Sequence, residues 1–148
     1  MRDQVFISYS HKDKEWLEKF QIALKPLVRT VPITVWDDTR IQPGQKWMDE
    51  IRQALAKAKV AVLLVSPDFL ASDFISEHEL PPLLQAAEEE GLRIVWVPIR
   101  ASLYADTEIG AYQAAHNPTH PLAGLSAAEV DEAFVKIAKV VKGILNPP

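Results

Sequence analysis

Lys59-Val60-Ala61-Val62-Leu63-Leu64-Val65 is the stretch that decides the fold. It is apolar throughout after its first residue, without the alternation of a strand that is wet on one side. A strand of that kind belongs at the centre of a parallel sheet, covered on both faces. Its apolar part, Val60 to Val65, is the longest such run in the chain and far too short to cross a bilayer. On its N-terminal side, Trp47, Ile51, Leu55 and Ala58 recur at helical spacing and predict a helix packed on the sheet. Before that helix, residues 37–46 are polar, and Pro43-Gly44 fits the central pair of a type II turn.

Further back, Ile33 to Trp36 reads as a second strand, and Val5-Phe6-Ile7 as a first strand ended by Ser8-Tyr9-Ser10. Between these two, Trp16, Leu17, Phe20, Ala23, Leu24, Leu27 and Val28 predict a helix over about Lys14 to Val28. Asp13 is its expected N-cap, and Pro26 is expected to end or kink it. On the C-terminal side, Leu80, Leu83, Leu84 and Ala87 mark a helix closed by Gly91, with Pro81 and Pro82 in its first turn. Residues 69–79 then form a separate helical turn or loop leading in. Ile94 to Ile99 is the fourth strand. Arg100 to Ser126 reads as a long loop with one short edge strand near Tyr112. Glu129 to Leu145 is a final amphipathic helix, and Asn146-Pro147-Pro148 resembles the start of a linker. Strands alternating with helices imply a parallel α/β sheet with helices on both faces, whose ligands sit beyond the C-terminal strand ends.

The chain has 148 residues, the size of one domain, 1–148, and is 48% hydrophobic and 24% charged, so a packed core is expected. A net charge of −4 argues against nucleic acid as a partner. No cysteine is present, so disulfides and thiolate metal sites are excluded. The N-terminus lacks the apolar core of a signal peptide, so a cytoplasmic protein without membrane attachment is the expectation. None of the five glycines lies between the first strand and the first helix. A Gly-rich dinucleotide turn and a P-loop both need glycine there. No Gly-x-Ser-x-Gly elbow exists for a serine hydrolase. A phosphoacceptor receiver would want acidic residues where Ser8-Tyr9-Ser10 and Ser66 stand. His116 and His120 flank Pro118, which breaks the helix that an i,i+4 metal pair needs, so no metal is expected.

Four stretches occur in an order that carries a resemblance. They are Val5-Phe6-Ile7-Ser8-Tyr9-Ser10-His11-Lys12-Asp13; Val35-Trp36-Asp37-Asp38 with Ile41-Gln42-Pro43-Gly44; Val62-Leu63-Leu64-Val65-Ser66-Pro67-Asp68-Phe69; and Ser72-Asp73-Phe74 with Glu79-Leu80-Pro81. Together they resemble the signature boxes of TIR domains, the Toll/interleukin-1 receptor/resistance-protein family, in their bacterial, NAD-cleaving style. The likeness is loosest from Ala101 to Leu125. It implies the flavodoxin-like, doubly wound parallel sheet of four to five strands.

The resemblance also implies chemistry. Many members cleave the N-glycosidic bond of NAD⁺ to nicotinamide and ADP-ribose or a cyclic isomer, in defence or signalling. Others are adaptors that act only by homotypic association. By position, Glu79 matches the catalytic glutamate, with Glu77 as its near competitor; the bland alternative for both is a solvated carboxylate at a helix start. Tyr9, Ser10, His11, Asp37, Phe74 and Ile75 match positions lining the dinucleotide. Active animal members carry a tryptophan where this chain has Ile75, so Phe74 is the candidate stacking ring here. Trp47 and the other helix stripes are expected in the core. NAD⁺ enters as substrate, with no cofactor. The implied partners are other TIR domains, through the 37–46 loop, and a sensor domain in a longer chain. A different α/β nucleoside-binding module is the third reading left open.

Overall fold

The computed structural model describes residues 2–146. Its sheet has four parallel strands in the order β2-β1-β3-β4, where β1 is Gln4–Ser8, β2 Val35–Trp36, β3 Ala58–Val65 and β4 Arg93–Pro98. The helices are α1 (Lys14–Thr30), α2 (Trp47–Lys57), α3 (Pro67–Ala71), α4 (Leu80–Glu89) and α5 (Ala127–Leu145). All but one of the β3 residues are buried, as a central strand requires. Its even-numbered residues Val60, Val62 and Leu64 face α1 and α5, through Leu17, Phe20, Phe134 and Ile137. Its odd-numbered residues Ala61, Leu63 and Val65 face α2, α3 and α4, through Ile51, Leu55, Phe69 and Leu83. This is the doubly wound, flavodoxin-like arrangement that the apolar run predicts. The chain winds outward from β1 to β2, then crosses back to β3 on the far side of β1. The tips of β1 and β3 therefore form the topological switch point.

The structure corrects several local expectations. Helix α1 does not end at Pro26 but runs to Thr30. Pro26 and Ile22 are both exposed, so the carbonyl that proline leaves unbonded faces water. Asp13 makes no capping hydrogen bond at the start of α1. It is 3% exposed and instead accepts from Ser66 Oγ and from Arg100. Strand β2 has only two residues, because at the sheet edge it pairs on one side alone. No strand forms near Tyr112. Residues 104–111 make 3₁₀ turns, and one isolated bridge joins Ala114 to Trp96. That long loop is anchored by Ile109 and Leu122, both fully buried. The type II turn is present: Gln45 N–H bonds to Gln42 C=O, and Gly44 has φ +89°. Of the linker-like end, Pro147 and Pro148 lie outside the described residues.

Candidate functional site

Glu79 is placed by two prolines. Pro81 and Pro82 offer no N–H, and the ring of Pro81 would collide with the carbonyl four residues back in a regular helix. The turn before them widens instead. Ile75–Glu79 is a π-helical turn running directly into α4, with Leu80 N–H bonded to the Ile75 carbonyl. Such wide turns are frequent at functional sites. This one swings the Glu79 carboxyl under the tip of β1, where Ser8 Oγ donates to Oε1 at 2.6 Å. Ser8 is 1% exposed and Glu79 6%. Burial pushes the Glu79 carboxyl up to about 7. The Ser8 hydrogen bond pulls the other way, Asp38 adds to the rise, and His11 opposes it. Glu77, the near competitor, is exposed and stands beside His78 at 4.0 Å.

Above Glu79 opens a cavity of about 460 Å³, within the usual range for small-molecule sites. Tyr9, Ser10, His11, Phe74 and Ile75 all line it with Glu79, so six of the seven residues singled out in the sequence meet in one cleft. Asp37 does not line it. It is 2% exposed and serves as a cap, accepting from Thr39 N–H at 2.9 Å and from Gln21 Nε2 at 2.7 Å. The next residue, Asp38, takes its place in the cavity wall. It accepts from Tyr9 Oη at 2.8 Å and pairs with His11 Nε2. Burial, then the bond to Asp38, raises the Tyr9 phenol well above its ordinary value, so Tyr9 remains a neutral donor.

Besides Asp38, the lining residues Lys12, Ile41, Trp47, Ile51 and Ser72 are missed in the sequence. Trp47, expected in the core, is 50% exposed at the cavity mouth. As the first residue of α2 it hangs beyond the sheet end. Lys12 and Ser72 complete the rim. Behind the cavity, Arg100 donates to Asp13 at 2.9 Å and to Asp68 at 2.6 Å, tying the exits of β3 and β4 to the start of α1. That arginine holds the Asp68 carboxyl below the usual range. Among the described residues, no cluster of three His, Asp or Glu side chains is placed to hold a metal ion, and no helix is long and apolar enough to cross a membrane.

The arrangement can therefore present one buried carboxyl, a second carboxylate, three hydroxyls and an aromatic wall to a small ligand. The TIR domain family profile matches residues 5–134. The uncharacterized protein y4lF of Sinorhizobium fredii is 28% identical over 138 residues, which is 93% of this chain and 42% of that protein. The chain thus spans less than half the length of this curated relative. The TIR domain of the Toll-related receptor TRR-2 from Hydra magnipapillata superposes with a TM-score of 0.58 at 18% identity, over 99% of this chain and 100% of that one. The TIR domains of the activated Roq1 resistosome, which directly recognizes the pathogen effector XopQ, superpose with a TM-score of 0.54 at 20% identity, over 93% of this chain and 84% of that one. At such identities these two likenesses are of fold. The profile runs from the first strand into α5, and on that match the chain belongs to the TIR domain family.

Proposed function

We propose that this chain cleaves the bond between nicotinamide and ribose in NAD⁺, with Glu79 as the catalytic carboxylate. The observation that carries the reading is the burial of Glu79 on the cavity floor at the switch point, held by Ser8. A carboxylate so placed has lost most of its water. It regains stabilisation when positive charge develops beside it.

The chemistry needs that kind of help and little else. Heterolysis of the N-glycosidic bond sends its electron pair to the pyridinium nitrogen, and nicotinamide leaves neutral. No general acid is required, unlike in ordinary glycoside cleavage. The ribose carbon becomes oxocarbenium-like, and the Glu79 carboxylate stabilises it while accepting from ribose hydroxyls. Water then attacks that carbon and loses a proton, giving ADP-ribose; an internal nucleophile in place of water gives a cyclic isomer. The cavity accommodates the nicotinamide riboside half.

Contacts through the 37–46 loop, whose residues 42–46 are all exposed, would let copies of the domain assemble and set that loop over the cavity. The test is to incubate concentrated protein with NAD⁺ and follow nicotinamide release. Release by the wild type and its loss in Glu79→Ala support the reading. Equal release by both proteins, or none from either, leaves a scaffold acting by homotypic association.

A further inference from the structure

We infer that Asp13 and Arg100 are positioning residues: their ion pair holds the Ser10 to Lys12 wall of the cavity from behind, and so governs how tightly a ligand binds, not how fast Glu79 acts on it. That the ligand is NAD⁺ rests on the function proposed above; the support of the wall stands on separate observations. Asp13 is a carboxylate only 3% exposed, yet it does not line the cavity, and the proposed reaction makes no use of it. It also forgoes the local role of an aspartate at a helix start, since it makes no capping bond to α1. Both of its oxygens are engaged elsewhere. Oδ2 accepts from Ser66 Oγ at the exit of β3, and Oδ1 accepts from Arg100 Nη2 at the exit of β4. The same Arg100 nitrogen donates to Asp68 at 2.6 Å, and Asp68 stands 3.8 Å from Lys12.

The backbone of Asp13 closes the wall itself. Its N–H donates to Ser10 C=O at 2.8 Å, completing the 3₁₀ turn His11–Asp13, and Lys12 N–H donates to Ser10 Oγ at 3.3 Å. Ser10, His11 and Lys12 all line the cavity, but Ser10 is half-buried and the other two are exposed. A turn with so little packing opens readily unless something behind it is fixed. An ion pair taken out of water is a weak source of stability. What it adds over an apolar contact is direction, because each Asp13 oxygen is met by its own donor. Glu79 stands apart from this network, held by Ser8 and by the wide turn before α4. Loss of the pair therefore lowers the share of molecules with the wall in its binding shape and leaves the reacting carboxylate in place. A wall correctly placed about a tenth of the time weakens apparent affinity about tenfold.

The test compares wild type with Arg100→Ala, Arg100→Lys and Asp13→Asn, and uses Ser126→Ala as a variant destabilised outside the cavity lining. Hydrogen exchange of the Lys12 and Asp13 amides, without ligand, reports the turn. The KM and kcat of nicotinamide release from NAD⁺ report the site. Arg100→Ala and Asp13→Asn are expected to speed exchange at these two amides roughly tenfold relative to those of β1, to raise KM roughly tenfold and to leave kcat within about threefold. Arg100→Lys is expected to restore most of both, because one nitrogen makes both contacts and an ammonium can do the same. Ser126→Ala is expected to move neither. Exchange as slow as in wild type, or a fall in kcat larger than the rise in KM, overturns the inference. Should Arg100→Ala fail to fold, Asp13→Asn decides. Faster exchange in a protein that never cleaves NAD⁺ upholds the support of the wall and overturns the proposed function. Cleavage that depends on Glu79, with KM unchanged in Arg100→Ala and Asp13→Asn, does the reverse.

Discussion

Replacing Glu79 with glutamine removes a buried charge and leaves the shape of the side chain in place. Glutamine can still accept from Ser8 Oγ through its carbonyl. In the unfolded chain the carboxyl titrates near 4.5; in the fold burial raises it to about 7. Between these values the folded protein holds a proton that the unfolded chain has lost. Stability therefore falls as pH rises through that window, and levels off above it. At about 1.4 kcal/mol per tenfold change in the constant, the penalty approaches roughly 3 kcal/mol at pH 8 and shrinks below about 1 kcal/mol at pH 5. Glu79→Gln escapes it. The variant is expected to be more stable than wild type by about that amount at pH 8, or roughly 6–12 °C in Tm for a chain of this size, with most of the gain gone at pH 5. Urea unfolding of both proteins at the two pH values measures it. A difference that ignores pH, or a wild type more stable at pH 8, would refute a desolvated carboxyl at this position.

Three further outcomes follow from the same geometry. The ionised carboxylate is the active form in the proposed reaction, so kcat/KM rises with pH through about 7 in the free enzyme. Ser8→Ala removes the hydrogen bond that favours ionisation and moves this limb to higher pH; an unmoved limb contradicts the role of Ser8. Arg100→Ala leaves the buried Asp13 with Ser66 alone and is expected to lower stability by roughly 1–3 kcal/mol, a loss tempered because Arg100 is partly exposed. Calorimetry reads it, and Tm within a degree of wild type goes against it. Ser126→Ala breaks the capping box in which Ser126 Oγ accepts from Glu129 N–H while Glu129 reaches back to Ser126 N–H. About 1 kcal/mol of stability goes with it, measurable in the same scans.

The sheet was legible in the sequence because burial on both faces leaves one reading for an apolar run such as Val60 to Val65. The helices were legible because Leu17, Phe20 and Leu24, or Phe134, Ile137 and Val141, recur at their period. What pairing alone decides was not legible. Nothing in Ile33 to Trp36 says that an edge position will hold only Val35 and Trp36 to the ladder, and nothing near Tyr112 says that turns will prevail over a strand. Pro26 misled because a proline on the wet side of a helix costs less than its rule implies. At the site, resemblance located Glu79, whereas Pro81 and Pro82 explain how it gets there. Sequence could not choose between Asp37 and Asp38: Asp37 is the extended cap whose carboxylate turns in to Thr39 N–H, while Asp38 opens the 3₁₀ turn that follows. Trp47 fitted a core stripe with Ile51 and Leu55, and only its place past the sheet end turns it outward.

The proposed reaction depends on a charged side chain that stabilises the transition state while scarcely contributing to ground-state binding. Measuring the NAD⁺ dissociation constant and the rate of nicotinamide release together, for wild type and Glu79→Gln at pH 8, tests that directly. The expected result is binding within a few-fold of wild type and release slower by roughly 100-fold or more. Release at the same rate from both proteins would contradict it.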